Sequence, residues 1–187
     1  MSLLEIAAFV TSLIGVILGV LGPRTTWPWW NISSFLYAIL FFQSAYYASA
    51  ALQFIFILGG LWGWFGWGKS GAKPRYSNTK ERLVSISVLV IASFALYPIL
   101  IEVGATSSAI ESFGFVGSVL AQILMVLQRF EAWPLWLIVD AAYTYQYLTG
   151  KLYLTSFLYL IFTAVAIWGL IRWQREAKVN GLPKFIK

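Results

Sequence analysis

Between Trp27 and Trp67 the chain runs for 41 residues without one charged side chain. A helix crosses the roughly 30 Å hydrocarbon core of a bilayer with about 20 apolar residues, so this run is long enough for two crossings and must turn back on itself as a helical hairpin. A soluble fold carries about 25% charged residues. Here the whole chain of 187 residues has 11% charged and 60% hydrophobic residues, with a mean hydropathy of +0.77. Further apolar stretches cover about residues 3–21, 83–101, 110–127, 132–150 and 152–171. The first reads as a retained helix, because a removable signal has a basic start and a shorter apolar centre. The expectation is an all-α membrane protein with seven transmembrane helices and very little outside lipid.

An internal repeat organises those helices. A shift of 106 residues lays 5–67 over 111–173 without a gap, pairing Glu5 with Glu111 and Trp67 with Trp173 at the ends. Between them Trp27, Pro28, Trp30 and Tyr37 meet Trp133, Pro134, Trp136 and Tyr143, and Trp62-Gly63 meets Trp168-Gly169. Hydrophobic bias can supply matched leucines, but not a shared Trp-Pro-x-Trp and a shared Trp-Gly-x-x-x-Trp in register. The evident loop Thr149-Gly150-Lys151 falls on Gln43-Ser44-Ala45, which places the turn of the uncharged hairpin.

Each copy is thus three helices, with one linker helix between them. Three crossings reverse the chain direction and the linker restores it, so the two three-helix repeats run parallel in a 3+1+3 arrangement. Sugar-transporting SWEETs are built on parallel repeats of this kind. The units are residues 1–68, the first repeat; 69–104, a basic loop and the linker helix; 105–175, the second repeat; and 176–187, a tail. Twelve of the 13 basic residues fall on one side of the membrane in this topology, leaving Lys151 on the other. The positive-inside rule then puts the amino terminus outside and the carboxyl terminus in the cytoplasm. The net charge of +6 reports orientation, and no nucleic-acid partner is expected.

The composition removes several chemistries. Without cysteine or histidine there is no thiolate nucleophile and no Cys-ligated metal site, and the usual neutral-pH base and commonest metal ligand are missing. Neither an enzyme nor a resident cofactor or metal is expected. Ionisable residues at membrane depth are suspects for function, and Asp140 is the clearest. It shares one helical face with Trp133, Trp136, Tyr143 and Tyr147, matched in the first copy by Trp27, Trp30, Ser34, Tyr37 and Phe41. Aromatic planes around one carboxylate suit a flat, hydroxyl-bearing or cationic ligand. Trp27 and Trp133, at the span entrances, read instead as interfacial belt residues. Gln53 and Tyr159 are repeat equivalents at mid-membrane and complete the candidate set with Gln122, which either meets ligand or bonds between helices. Glu5 and Glu111 open their helices, where negative charge compensates the dipole. A single central carboxylate argues against ion coupling and for downhill transport.

Four segments carry a family resemblance. Phe41-Phe-Gln-Ser-Ala-Tyr-Tyr-Ala-Ser49 with Gln53 and Trp62-Gly-Trp-Phe-Gly-Trp67 resembles the first half of the PnuC-type vitamin transporters. Glu131-Ala-Trp-Pro-Leu-Trp136, Asp140 and Leu152 to Tyr159 look like their second half. The resemblance implies facilitated diffusion of nicotinamide riboside across a bacterial inner membrane, with a cytosolic kinase trapping the product for NAD synthesis. It also implies a substrate site on helices three, six and seven, here Gln53, Trp136, Asp140, Tyr143 and Tyr159. Thiamine and riboflavin carriers of the same family stay open, as does a seven-helix scaffold or receptor that transports nothing. A homo-oligomer is allowed, and nothing in the sequence sets its size.

Overall fold

The computed structural model describes residues 3–43, 47–102, 108–151 and 153–181. These form seven helices: α1 (Leu3–Leu21), α2 (Thr26–Gln43), α3 (Tyr47–Gly66), α4 (Thr79–Glu102), α5 (Ser108–Val126), α6 (Ala132–Thr149) and α7 (Tyr153–Asn180). Within the uncharged run α2 is described to Gln43 and α3 from Tyr47; Ser44 and Ala45, where the repeat places the turn, lie outside the described residues. Five of the helices are long and apolar enough to cross a membrane by length and composition. The other two, α2 and α6, have 18 residues each. Both contain tryptophans and give part of their length to polar side chains (Asn31, Ser33 and Ser34; Asp140, Thr144 and Gln146), which lowers their hydropathy without shortening them.

Helix α4 has no buried residue, and Ile91 and Phe94 on it are 68% and 75% exposed. Such a surface is stable only where hydrocarbon replaces water. The remaining contacts repeat. Helix α2 packs on α1 and α3 as α6 packs on α5 and α7, and the two sets meet through α1 with α7 and α3 with α5.

The shared residues of the repeat are the packing residues. Gly63 leaves the space that the Trp27 ring fills, and Gly169 does the same for Trp133; a Cβ on either glycine would enter the indole. Trp67 packs edge-on against Trp27 and Trp173 edge-on against Trp133, with ring centroids 4.8 and 5.7 Å apart. Trp27 and Trp133 are 0% and 2% exposed. They are therefore core residues and not belt residues: each finds a glycine seat on the third helix of its own copy, which removes it from the membrane interface.

At the same end of the bundle, residues 69–82 are laid across both halves as a strap. Ala72 N–H donates to the Gly22 carbonyl (2.7 Å) and Arg75 N–H to that of Gln128 (3.0 Å). Gly22 and Gln128 are repeat equivalents at the ends of α1 and α5, and both have left-handed backbone, φ 86° and 59°. Gln128 accepts that conformation while its side chain takes the Lys73 N–H (2.6 Å) and donates to the Gly66 carbonyl (3.3 Å). Arg129 pairs with Glu81, and Arg82 with Glu131 at 2.8 Å. Burial pushes the Glu131 carboxyl up, but the Ser77 N–H (2.9 Å) and Arg82 outweigh it and hold the group below its ordinary range.

Helix α7 does not stop near residue 171. It continues to Asn180, so a tail beginning at 176 starts inside the helix. Arg172 and Glu176 pair at 2.9 Å one turn apart, Ala177 is buried, and the Asn180 amide donates to the Pro74 carbonyl of the strap (2.9 Å). The charged segment stays helical because it packs on the strap.

Candidate substrate site

A cavity of about 140 Å³ opens between α1, α2, α3, α5, α6 and α7. It reaches from Glu5, Phe41 and Leu154 at the end away from the strap to Trp133 and Ala166 above the tryptophan cluster. The helical period of α6 turns Trp133, Trp136 and Asp140 to the same side, and α2 does the same with Trp30, Ser33, Ser34 and Tyr37. Trp30 and Trp136, equivalent in the two copies, meet with ring centroids 6.0 Å apart. Phe56 stands edge-on to Trp136 at 6.1 Å.

Among the described residues Asp140 is the single carboxylate deep in the cavity, 6% exposed. The lining includes the acids Glu5 and Asp140, several hydroxyls and an amide, and no basic side chain. Stacking faces, hydroxyls and one deep carboxyl group, once ionised, can hold a planar cation that also bears hydroxyls. Among the described residues no group of acids could hold a metal ion.

Of the residues singled out from sequence, Gln53, Trp136, Asp140, Tyr159, Ser34 and Tyr37 line this cavity; Tyr143 and Gln122 do not. Both are drawn away by a glycine. Tyr143 lies on Gly114, where the first copy has Ala8, and a Cβ there would enter its ring. Its ring also stacks with Tyr147 (5.7 Å) and stands edge-on to Tyr159 (5.2 Å), so it backs the wall. Gln122 lies against Gly59 of α3, 2.8 Å from where a Cβ would stand. Its amide is buried with no hydrogen-bond partner among the described residues.

Sequence reasoning passed over Ser12, Phe56, Phe162 and Glu5 as lining residues. The repeat itself carried the signal, since Ser12 matches Ser118 and Phe56 matches Phe162 under the same shift. Trp133, expected at the interface, is part of the cavity floor.

A family model described as "Nicotinamide mononucleotide transporter" matches residues 2–175. The nicotinamide riboside transporter PnuC of Escherichia coli (strain K12) is 22% identical, over 97% of this chain and 89% of the relative. The riboflavin/roseoflavin transporter RibM of Streptomyces davaonensis is 24% identical, over 93% and 87%. Among solved structures, a crystal structure of the vitamin B3 transporter PnuC superposes with a TM-score of 0.81 at 20% identity, covering 95% of this chain and 83% of that one. The last likeness speaks for the fold.

Proposed function

This chain belongs to the nicotinamide mononucleotide transporter family, of the PnuC type, and on that premise we propose that it carries nicotinamide riboside into the cytoplasm by facilitated diffusion. The observation that carries the reading is Asp140, buried in a cavity faced by Trp30 and Trp136. A carboxylate at the centre of a membrane helix costs about 2.5–3.5 kcal/mol on insertion scales. A pyridinium nucleoside returns part of that cost, since its ring brings the opposite charge and a face to stack. The absence of a basic side chain from the lining favours the unphosphorylated nucleoside over a nucleotide, whose phosphate would meet Asp140 and Glu5.

The protein is a multi-pass membrane protein. Its amino terminus lies outside the bacterial inner membrane and its strap inside, as the basic residues argue. Two parallel three-helix repeats, residues 1–68 and 105–175, flank the linker helix. The packing of Trp27 on Gly63 and of Trp133 on Gly169 supports this pairing. One carboxylate and no other mid-membrane acid, lysine or histidine in the cavity favour uncoupled movement, with accumulation left to a cytosolic kinase. The second reading is riboflavin, supported by the likeness to RibM; thiamine, a cation like nicotinamide riboside, is the third.

Purified protein in liposomes tests this directly. Labelled nicotinamide riboside should equilibrate in both directions with no ion gradient, and unlabelled riboside should compete better than riboflavin, thiamine or nicotinamide mononucleotide. Accumulation driven by a proton or sodium gradient in enzyme-free vesicles would overturn the uncoupled mechanism. Stronger competition by riboflavin would reassign the substrate.

A further inference from the structure

Resting on the transport reading, we infer that the tryptophan cluster at the strap end is the gate that closes the cavity from that side, latched by two repeat-related indole hydrogen bonds. Trp67, just past α3, donates its Nε1–H to the Val126 carbonyl at the end of α5 (3.3 Å). Trp173 of α7 donates its Nε1–H to the Val20 carbonyl at the end of α1 (3.2 Å). The shift of 106 residues carries one donor onto the other and one acceptor onto the other. Each bond joins the third helix of one repeat to the first helix of the other.

These crossings coincide with the contacts between the halves, α1 with α7 and α3 with α5. The cavity floor at Trp133 and Ala166 belongs to the same buried cluster as Trp27, Trp67 and Trp173. The indoles of Trp67 and Trp173 touch, with centroids 5.8 Å apart. A ligand of aromatic size can leave toward the strap only if the cross-repeat contacts part.

The acceptors suit a latch. The last four carbonyls of a helix have no partner within it, and those of Val20 and Val126 belong to this group. While the gate is shut the indoles satisfy them, and when it opens water takes the indoles' place. The two bonds can therefore break and reform without leaving a buried polar group stranded. Trp27 and Trp133 act differently, as plugs held by shape on Gly63 and Gly169, with no hydrogen-bond partner for either Nε1 among the described residues.

The chain has no cysteine, so Ser118→Cys, in the cavity lining, gives one reporter thiol. A membrane-impermeant thiol reagent is applied to right-side-out and inside-out vesicles, with flux of labelled nicotinamide riboside measured in parallel on the unsubstituted, cysteine-free chain. In the Ser118→Cys parent, Trp67→Phe and Trp173→Phe keep a ring and delete the N–H. One buried hydrogen bond corresponds to about a two- to tenfold change in an equilibrium. Each variant should raise labelling from the strap side by about that factor, the two equally, and the double variant by about the product. Trp62→Phe and Trp168→Phe, a repeat-related pair with exposed rings on the same helices, should label like the parent. Should a phenylalanine variant fail to fold, Gly63→Ala and Gly169→Ala carry the test: each unseats a plug and should raise strap-side labelling. Unchanged strap-side labelling in the folded variants, or an equal rise from both sides, would overturn the gate. Riboside flux with unmoved labelling leaves the transport reading intact and removes the latch; absent flux with the predicted labelling does the reverse.

Discussion

Replacing Asp140 by asparagine keeps the shape of the side chain and removes its charge, which separates electrostatics from packing. Asp140 is 6% exposed and lines the cavity with Trp30 and Trp136. A hydrogen bond to a charged group contributes about 1.5–3 kcal/mol and a neutral one about 0.5–1.5. Asp140→Asn should therefore lose about 1–1.5 kcal/mol toward a pyridinium nucleoside, roughly five- to tenfold in Kd. Asp140→Ala should lose the full contribution, about ten- to a hundredfold. The uncharged dihydropyridine form of the same nucleoside separates the causes, because it keeps the ribose and the ring size. Its affinity should fall less than that of the cation in Asp140→Asn, because its ring brings no positive charge for the carboxylate to meet and only the bond to the ribose is weakened. Calorimetry on detergent-purified protein gives each Kd, after a melting curve shows that the variant is folded. Equal losses for the cation and its neutral analogue would mean that Asp140 acts by structure. Parental affinity for both would move the site to α3 and α7, toward Gln53 and Tyr159.

Trp133→Ala deletes a fully buried indole from the core, at a cost of about 3–5 kcal/mol, so its melting temperature should fall well below that of Trp29→Ala, whose ring is 37% exposed; equal melting temperatures would return Trp133 to the interface. Glu131 is held below its ordinary carboxyl pKa of 4.5, so its contribution is fully present above that value and disappears as pH falls through the folded one. Thermal melts from about pH 6 downward should show an acid loss that Glu131→Gln lacks, and parallel pH profiles would remove the strap anchor. In intact cells a single Lys151→Cys should react with an impermeant thiol reagent and Ser70→Cys should not; the opposite pattern would invert the topology.

The repeat was legible because its identities are contacts. The first tryptophan of each Trp-Pro-x-Trp and the Trp-Gly glycine 36 residues later are a ring and its seat, so both must be kept together in each copy. The location of Trp27 and Trp133 was not legible from the same letters. A tryptophan near a span end fits a lipid interface and a buried core equally well, and what decides between them is a glycine on another helix, invisible to periodicity. The same holds for Tyr143 and Gln122. Their spacing puts them on the right faces, but Gly114 and Gly59 open room elsewhere and the side chains fill it. The length of α7 escaped because charge reads as the end of a span, whereas Arg172–Glu176 and the contact of Asn180 with Pro74 carry the helix past the apolar stretch.

The two copies differ where the cavity needs them to. Trp30 and Trp136, Ser12 and Ser118, and Phe56 and Phe162 are kept in pairs, while Ser34 faces the cavity in one copy and Asp140 in the other. Matched halves suit a gate that must part evenly, since its two indole bonds then have equal strength. A matched carboxylate would not suit the substrate. Aspartate at both 34 and 140 would put two buried charges in one cavity, each costing about 2.5–3.5 kcal/mol at the membrane centre. A monocation can compensate only one of them, and the second would repel the first. Serine at 34 still offers a hydroxyl to a ribose without adding charge. A single carboxylate also lifts the degeneracy of a pseudo-symmetric cavity: a ligand with its charge at one end binds in one of two otherwise similar orientations. On the proposed reading, the one-sided charge of the site counts the charge of its substrate.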